Sequence, residues 1–245
     1  MQERTIAVNG ADLWVAEQGT GPPVVLCTGG AGFCDYLGPV ATMVEDLARV
    51  YRFDPRGCGR SSPVPPYDVP TLLADLEALR TTLGHEHWVV AGHSFGADLA
   101  LAYALEYRDR VRALVYVSGT GVQDDRQWHA AYEAGREAGQ DPLPIFDYPF
   151  NPEVNRAANA SWRVYIKHPL LLRRISELRV PVLALYGSKD VRPSWPIQQL
   201  AHLLPNAHYE VITEAGHWPW LTHADDMRSH IRAFLRGLPY EPPER

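Results

Sequence analysis

The chain has 245 residues, of which 46% are apolar, 21% charged and 10% aromatic, an ordinary globular mix at a length one domain can hold. Scaling rules for its 27.4 kDa give a folded surface of roughly 11,000 Å², about 70% of the unfolded chain's surface being buried, so no disulfide or metal staple is needed. A net charge of −6 excludes nucleic acid and anionic membrane as main partners, because both recruit basic faces.

In chain order, the runs at 5–8 and 13–17 predict two short strands joined by a tight hairpin at Asn9-Gly10. An apolar strand at 24–27 ends in Thr28-Gly29-Gly30-Ala31-Gly32, and helical spacing follows at 40–47. A strand at 50–53 runs into the Asp54 to Ser62 loop. A helix at 70–83 carries Leu72, Leu76 and Leu79 on one stripe. The strand at 88–91 enters Gly92-His93-Ser94-Phe95-Gly96, followed by a helix at 97–106 and a strand at 111–117.

The rhythm breaks between about 121 and 179. Asp124 and Asp125 precede a helical stretch with Trp128 and Tyr132 four apart, then comes a proline- and aromatic-rich turn at 142–150. Asn151-Pro152-Glu153 reads as a helix start, a cap residue followed by proline and an acid, and that helix should stop at His168 before Pro169. Alternation resumes with a strand at 182–186, a helix at 197–204, a strand at 208–212 and a helix at 225–235. The pattern predicts a parallel sheet with helices on both faces, entered through an antiparallel hairpin. It divides the chain into a core (1–120 and 180–245) and a helical insert (121–179).

The N-terminus lacks the apolar stretch of a secretion signal, and no segment approaches the roughly 18 apolar residues of a membrane span. Cys27, Cys34 and Cys58 have no zinc-like spacing and read as reduced structural thiols. A cytoplasmic location is the expectation.

Gly92-His93-Ser94-Phe95-Gly96 matches G-x-S-x-G at a strand-to-helix turn, where small flanking residues let the chain turn sharply and lift a serine hydroxyl above the sheet. A serine hydroxyl needs an adjacent base oriented by an acid. Asp190 and His217 lie in loops that leave the carboxyl ends of the next strands, the same sheet edge as Ser94 and in the order Ser, Asp, His. Ser94, Asp190 and His217 are therefore the expected triad. The rivals fail on position. His93 should point away from Ser94, His223 reads as a cap or surface residue, and Glu214 is out of order. Asp54 should hold its own loop, and Asp98 should be a helix-surface or packing residue. The backbone N–H groups of Phe95 and Gly30 are the expected donors to an oxyanion. No metal-ligand spacing or phosphate-binding glycine motif occurs, so no cofactor is implied.

These motifs, TGGAG, DPRGCGRSS, GHSFG, RVPVLALYGSKD and EAGHWPW in that order, resemble those of the α/β-hydrolase superfamily over nearly the whole chain. The resemblance implies that superfamily's fold: a mostly parallel eight-stranded sheet with helices on both faces and a short helical lid. Within the superfamily the chain most resembles proline iminopeptidases, through RGCGRSS and the Gly-Gly loop. It departs from them at Thr28 and Ala31, where they show HGGPG, at Phe95, where they carry tryptophan or tyrosine, and in its shorter lid.

The lid aromatics Trp128, Tyr132, Phe146, Tyr148, Trp162 and Tyr165, with Trp218 of the histidine loop, are the candidate pocket residues. The implied activity is hydrolysis of a small-molecule acyl substrate, an ester or N-terminal amide, through an acyl-enzyme. The same triad also serves carboxylesterases, lactonases and C–C bond hydrolases. A ligand-binding protein of low turnover is the non-enzymatic alternative. An aminopeptidase must hold a substrate ammonium, and a lid carboxylate could do so.

Overall fold

The computed structural model describes residues 1–122, 126–138 and 142–239. Asn9 and Gly10 both take positive φ, 46° and 74°, and turn β1 (Gln2–Val8) directly into β2 (Ala11–Gln18) with Val8 opposite Ala11. That is the backbone an Asn-Gly hairpin turn requires. β2 pairs antiparallel with β4 (Arg49–Phe53), and every later pairing is parallel. With β3 (Pro23–Cys27), β5 (Trp88–His93), β6 (Val111–Val117), β7 (Val182–Gly187) and β8 (Ala207–Ile212), the order is β1-β2-β4-β3-β5-β6-β7-β8. The eight-stranded, mostly parallel sheet is the expected one.

Strand side chains alternate between two cores because successive residues point to opposite faces. On one face Val25, Val90, Leu114 and Ala184 pack with α2 (Val69–Thr82), α3 (Phe95–Glu106) and α7 (Trp195–Leu203). On the other, Leu26, Val89, Val115 and Leu185 pack with α1 (Gly38–Thr42) and later helices. α3 is buried on all sides from Phe95 to Leu105, so it needs no polar stripe. The folded surface is 11442 Å², close to the value that mass alone gives.

β6 and β7 are neighbours in the sheet, yet residues 118–181 intervene, carrying α4 (Arg126–Ala138), α5 (Pro152–Tyr165) and α6 (Leu171–Glu177). The start of α5 is as expected: Asn151 accepts from the N–H groups of Glu153 and Val154, with Pro152 next. Its regular turns end at Tyr165 rather than His168, because Lys167 and His168 bond back only three residues, to Val164 and Tyr165. α1 ends at Thr42 rather than near Leu47, and the chain continues as turns. Two short helices, α6 and α8 (Pro219–Thr222), were not expected; neither is long enough to show a period. The last helix, α9 (Ala224–Gly237), buries Met227 and Ile231 against the second core. No helix among the described residues is long and apolar enough to cross a membrane.

Candidate active site

Ser94 sits between β5 and α3 with φ 56° and ψ −128°, a conformation that costs a non-glycine residue of order 1–3 kcal/mol and persists only where the surroundings impose it. The flanking glycines are what permit it. A Cβ on Gly92 would collide with the carbonyl of Gly96, and one on Gly96 with the carbonyl of Cys27. The turn puts Ser94 at the N-terminus of α3. Phe95 is the first residue of that helix, so its N–H has no intrahelical acceptor.

Asp190 follows β7 and His217 follows β8, both at the carboxyl edge that carries Ser94. The His217 Nδ1 to Asp190 Oδ2 distance is 2.7 Å, and both side chains are only 1% exposed. A carboxylate only accepts, so Nδ1 carries the proton and Nε2 is left with a lone pair in the neutral ring. Burial, assisted by the Arg192 charge, holds His217 well below the ordinary histidine value. Burial raises Asp190, and Arg192 opposes that rise. The other Asp190 oxygen accepts from the Arg192 backbone N–H at 2.9 Å.

A second histidine ties this arrangement together. His93 Nε2 lies 2.8 Å from the backbone carbonyl of His217, which can only accept, so Nε2 is the protonated nitrogen. His93 Nδ1 therefore accepts from the Tyr36 hydroxyl at 2.7 Å, and that hydroxyl accepts from the Gly29 N–H at 2.7 Å. Burial and the neighbouring His217 keep His93 neutral, well below its ordinary value. The chain of bonds joins the Gly29-Gly30 loop to the backbone of His217. His93 does turn away from Ser94 as expected, but this link was missed, and its only sequence signal is the histidine placed next to the serine.

Ser94, Gly30 and Phe95 open into a cleft of about 640 Å³, within the range of small-molecule sites. α4 lines it with Trp128 and Tyr132, and α5 with Asn155 and Trp162. Of the seven candidate pocket residues, Trp128, Tyr132 and Trp162 border the cleft and the other four do not. Phe146 stacks on Phe33 at 4.2 Å, and Tyr148 lies under the Arg60 guanidinium. Tyr165 stacks behind Trp162 and bonds Glu106, while Trp218 packs on His217 and His93. The path of the chain and the orientation of its helices, which aromatic content does not reveal, decide this division.

Asp98 is no surface residue. It is 1% exposed, borders the cleft, and accepts from the Tyr116 hydroxyl and from the Thr120 N–H and hydroxyl. Burial pushes it up to about 7 despite those bonds. Asp54 holds its loop as expected, taking the Arg60 backbone and guanidinium and the Asp35 N–H, whereas Arg56 pairs with Asp75. His223 precedes α9 but its side chain bonds Thr222 and caps nothing. Asp124 and Asp125 lie outside the described residues. The three cysteines are buried and free, and burial pushes Cys27 and Cys58 up to about 12. Among the described residues no group of three His, Cys, Asp or Glu side chains is placed to hold a metal ion.

Residues 22–141 match the family model described as alpha/beta hydrolase fold. A protein of Caulobacter segnis named "Putative carbamate hydrolase RutD" is 28% identical over 243 residues, covering 87% of this chain and 91% of its own. The solved meta-cleavage product hydrolase CumD of Pseudomonas fluorescens IP01 superposes with TM-score 0.79 at 19% identity, over 95% of this chain and 97% of its own. Proline iminopeptidase of Mycobacterium smegmatis does so with TM-score 0.75 at 18% identity, over 96% and 98%. At those identities the two structures speak for the fold alone, and the curated relative carries the name of a carbamate hydrolase, not of an iminopeptidase. The sheet order, the serine on its strained turn and the family match together make this chain an α/β-hydrolase-fold protein.

Proposed function

We propose that the protein is a serine hydrolase of small acyl substrates, with Ser94 as nucleophile, His217 as base and Asp190 as its orienting acid. Ser94 Oγ attacks the carbonyl carbon while His217 Nε2 takes its proton. The oxyanion is met by the backbone N–H groups of Phe95 and Gly30, and the same Nε2 proton then goes to the leaving group. Water, deprotonated by His217, releases the acyl group from Ser94. The observation that carries this reading is the neutral, buried His217 held 2.7 Å from Asp190 on the sheet edge where Ser94 takes its strained turn. α4 and α5 serve as the lid over the cleft.

The substrate reading favours esters, carbamates or related acyl compounds over N-terminal amides, because among the described residues the cleft offers an ammonium group little carboxylate: Glu133 is the one lid acid on its described lining, against Arg136, Arg156 and Arg163. A fluorophosphonate probe should label Ser94 in folded protein, and Ser94→Ala should reduce turnover of p-nitrophenyl esters by roughly 10⁶. Substantial residual turnover in that variant would remove Ser94 from the mechanism. Unlabelled wild-type protein that cleaves no ester would favour a binding role for the fold instead.

A further inference from the structure

We propose that the cleft beside Ser94 selects substrates carrying a carboxylate at the end remote from the scissile bond, received by Arg156 and Arg163 on α5. This rests on the serine-hydrolase reading and names the substrate class of that site. Arg156, Asn159 and Arg163 recur at intervals of three and four and all border the cleft, so they lie on one face of α5. The seven-residue step sets the two arginines roughly 10 Å apart along the axis, both on the wall that carries Trp162 above Ser94.

The cleft's charge runs against the molecule's. The whole chain is at −6, yet the lining carries Arg136, Arg156, Arg163 and Arg192 against Glu133 and Asp98. Arg192 is committed to Asp190, 3.6 Å away, and the Asp98 oxygens are taken by Tyr116 and Thr120. Among the described residues three arginines then face one glutamate. Elsewhere arginines are matched with acids: Arg52 with Asp35, Arg56 with Asp75, Arg80 with Glu77, Arg174 with Glu106, Arg232 with Asp46. Among the described residues neither the Arg156 nor the Arg163 side chain has an ion-pair or hydrogen-bond partner. Their forked donors suit a carboxylate, which can accept two parallel N–H bonds. Because the pair sits at the exposed rim, the selection should weaken as salt screens it.

Matched esters differing in one charge test this. Mono-p-nitrophenyl glutarate and its methyl ester place the charge on the acyl side; 4-acetoxybutyrate and its ethyl ester place it on the leaving side. At low salt the charged member of one pair should be at least about tenfold better in kcat/KM, with the ratio falling in 0.5 M NaCl. Arg156→Gln combined with Arg163→Gln should bring it within about twofold of unity. Neutral members that do as well in both pairs, or a ratio that survives the double substitution, overturn the proposal. Calorimetry on Ser94→Ala separates this from the hydrolase reading, since it needs no turnover. Monomethyl glutarate should bind at least tenfold more tightly than dimethyl glutarate, or 4-acetoxybutyrate than its ethyl ester, and equal or weaker binding of the charged member in both pairs counts against the arginine site even if esters are cleaved. Should the wild type neither label nor cleave, that preference still decides the question.

Discussion

At the scale of single residues, the proposed mechanism asks two things of the Asp190 carboxylate that only an anion does well. It fixes the proton of His217 on Nδ1, and it would stabilise the imidazolium that forms during attack. In Asp190→Asn the amide can present its NH₂ to Nδ1, which then becomes the acceptor and moves the ring proton to Nε2, where it blocks attack. The expected loss in kcat is on the order of 10⁴, read with p-nitrophenyl acetate against a variant whose circular dichroism is unchanged. The pH profile follows from the same geometry. A base must be neutral to act, and burial with Arg192 holds His217 well below the ordinary histidine value of 6.5. Activity should thus persist as pH falls through 6.5, and the acid limb of kcat/KM should have its midpoint lower. A midpoint at 7 or above would contradict a buried, neutral His217.

At the scale of elements, the turn from β5 into α3 is where sequence and structure agree most closely, because its constraint is local. Gly92 and Gly96 are required by backbone atoms a few residues away or on the adjoining strand, so five letters are enough to find it. The positions of Asp190 and His217 were legible for a related reason: in a parallel sheet, the loops that leave the carboxyl ends of the strands share one edge. What was not legible depends on contacts far apart in sequence. The bond from His93 to the His217 carbonyl spans 124 residues, and no period or motif announces it. The sorting of lid aromatics depends on how α4 and α5 lie over the core, so Phe146 and Tyr165 looked the same as Trp128 and Trp162. The elbow supports a direct test. In Gly96→Ala the new methyl meets the Cys27 carbonyl, which is backbone and cannot swing aside. Such overpacking typically costs 1–3 kcal/mol, so the variant should melt about 2–12 °C lower for a chain of this size. Because the strain falls on the turn itself, fluorophosphonate labelling of Ser94 should slow at temperatures well below melting. Normal labelling in a destabilised variant would show that the turn tolerates displacement.

For the whole molecule, the buried ionisable groups pull stability in opposite directions with pH. His93 and His217 are buried and held low. The stability they contribute is present above the unfolded value of 6.5 and is lost as pH falls toward their folded values, since the unfolded chain then binds protons that the fold refuses. Asp98 works in reverse. Its ordinary value is 3.8 and burial raises it to about 7, so the folded state keeps a proton that the unfolded state gives up. Its contribution is complete below pH 3.8 and is lost progressively as pH rises to about 7, at up to ~1.4 kcal/mol for each pH unit. Asp98→Asn removes this dependence while leaving an oxygen to accept from Tyr116 or Thr120. Whatever constant offset the amide introduces, the melting temperature of Asp98→Asn minus that of the wild type should climb steadily between pH 4.5 and pH 7. Above pH 7 it should level off, because Asp98 is then ionised in both states. With ~1 kcal/mol corresponding to roughly 2–4 °C in a chain of this length, the climb should exceed 5 °C and be measurable by calorimetry. His93→Gln, compared with the wild type in the same way, should show its advantage growing in the opposite direction, toward acid. A flat difference for Asp98→Asn across that range would mean that the three donors around Asp98 keep it ionised, and that the floor of the cleft carries a full negative charge.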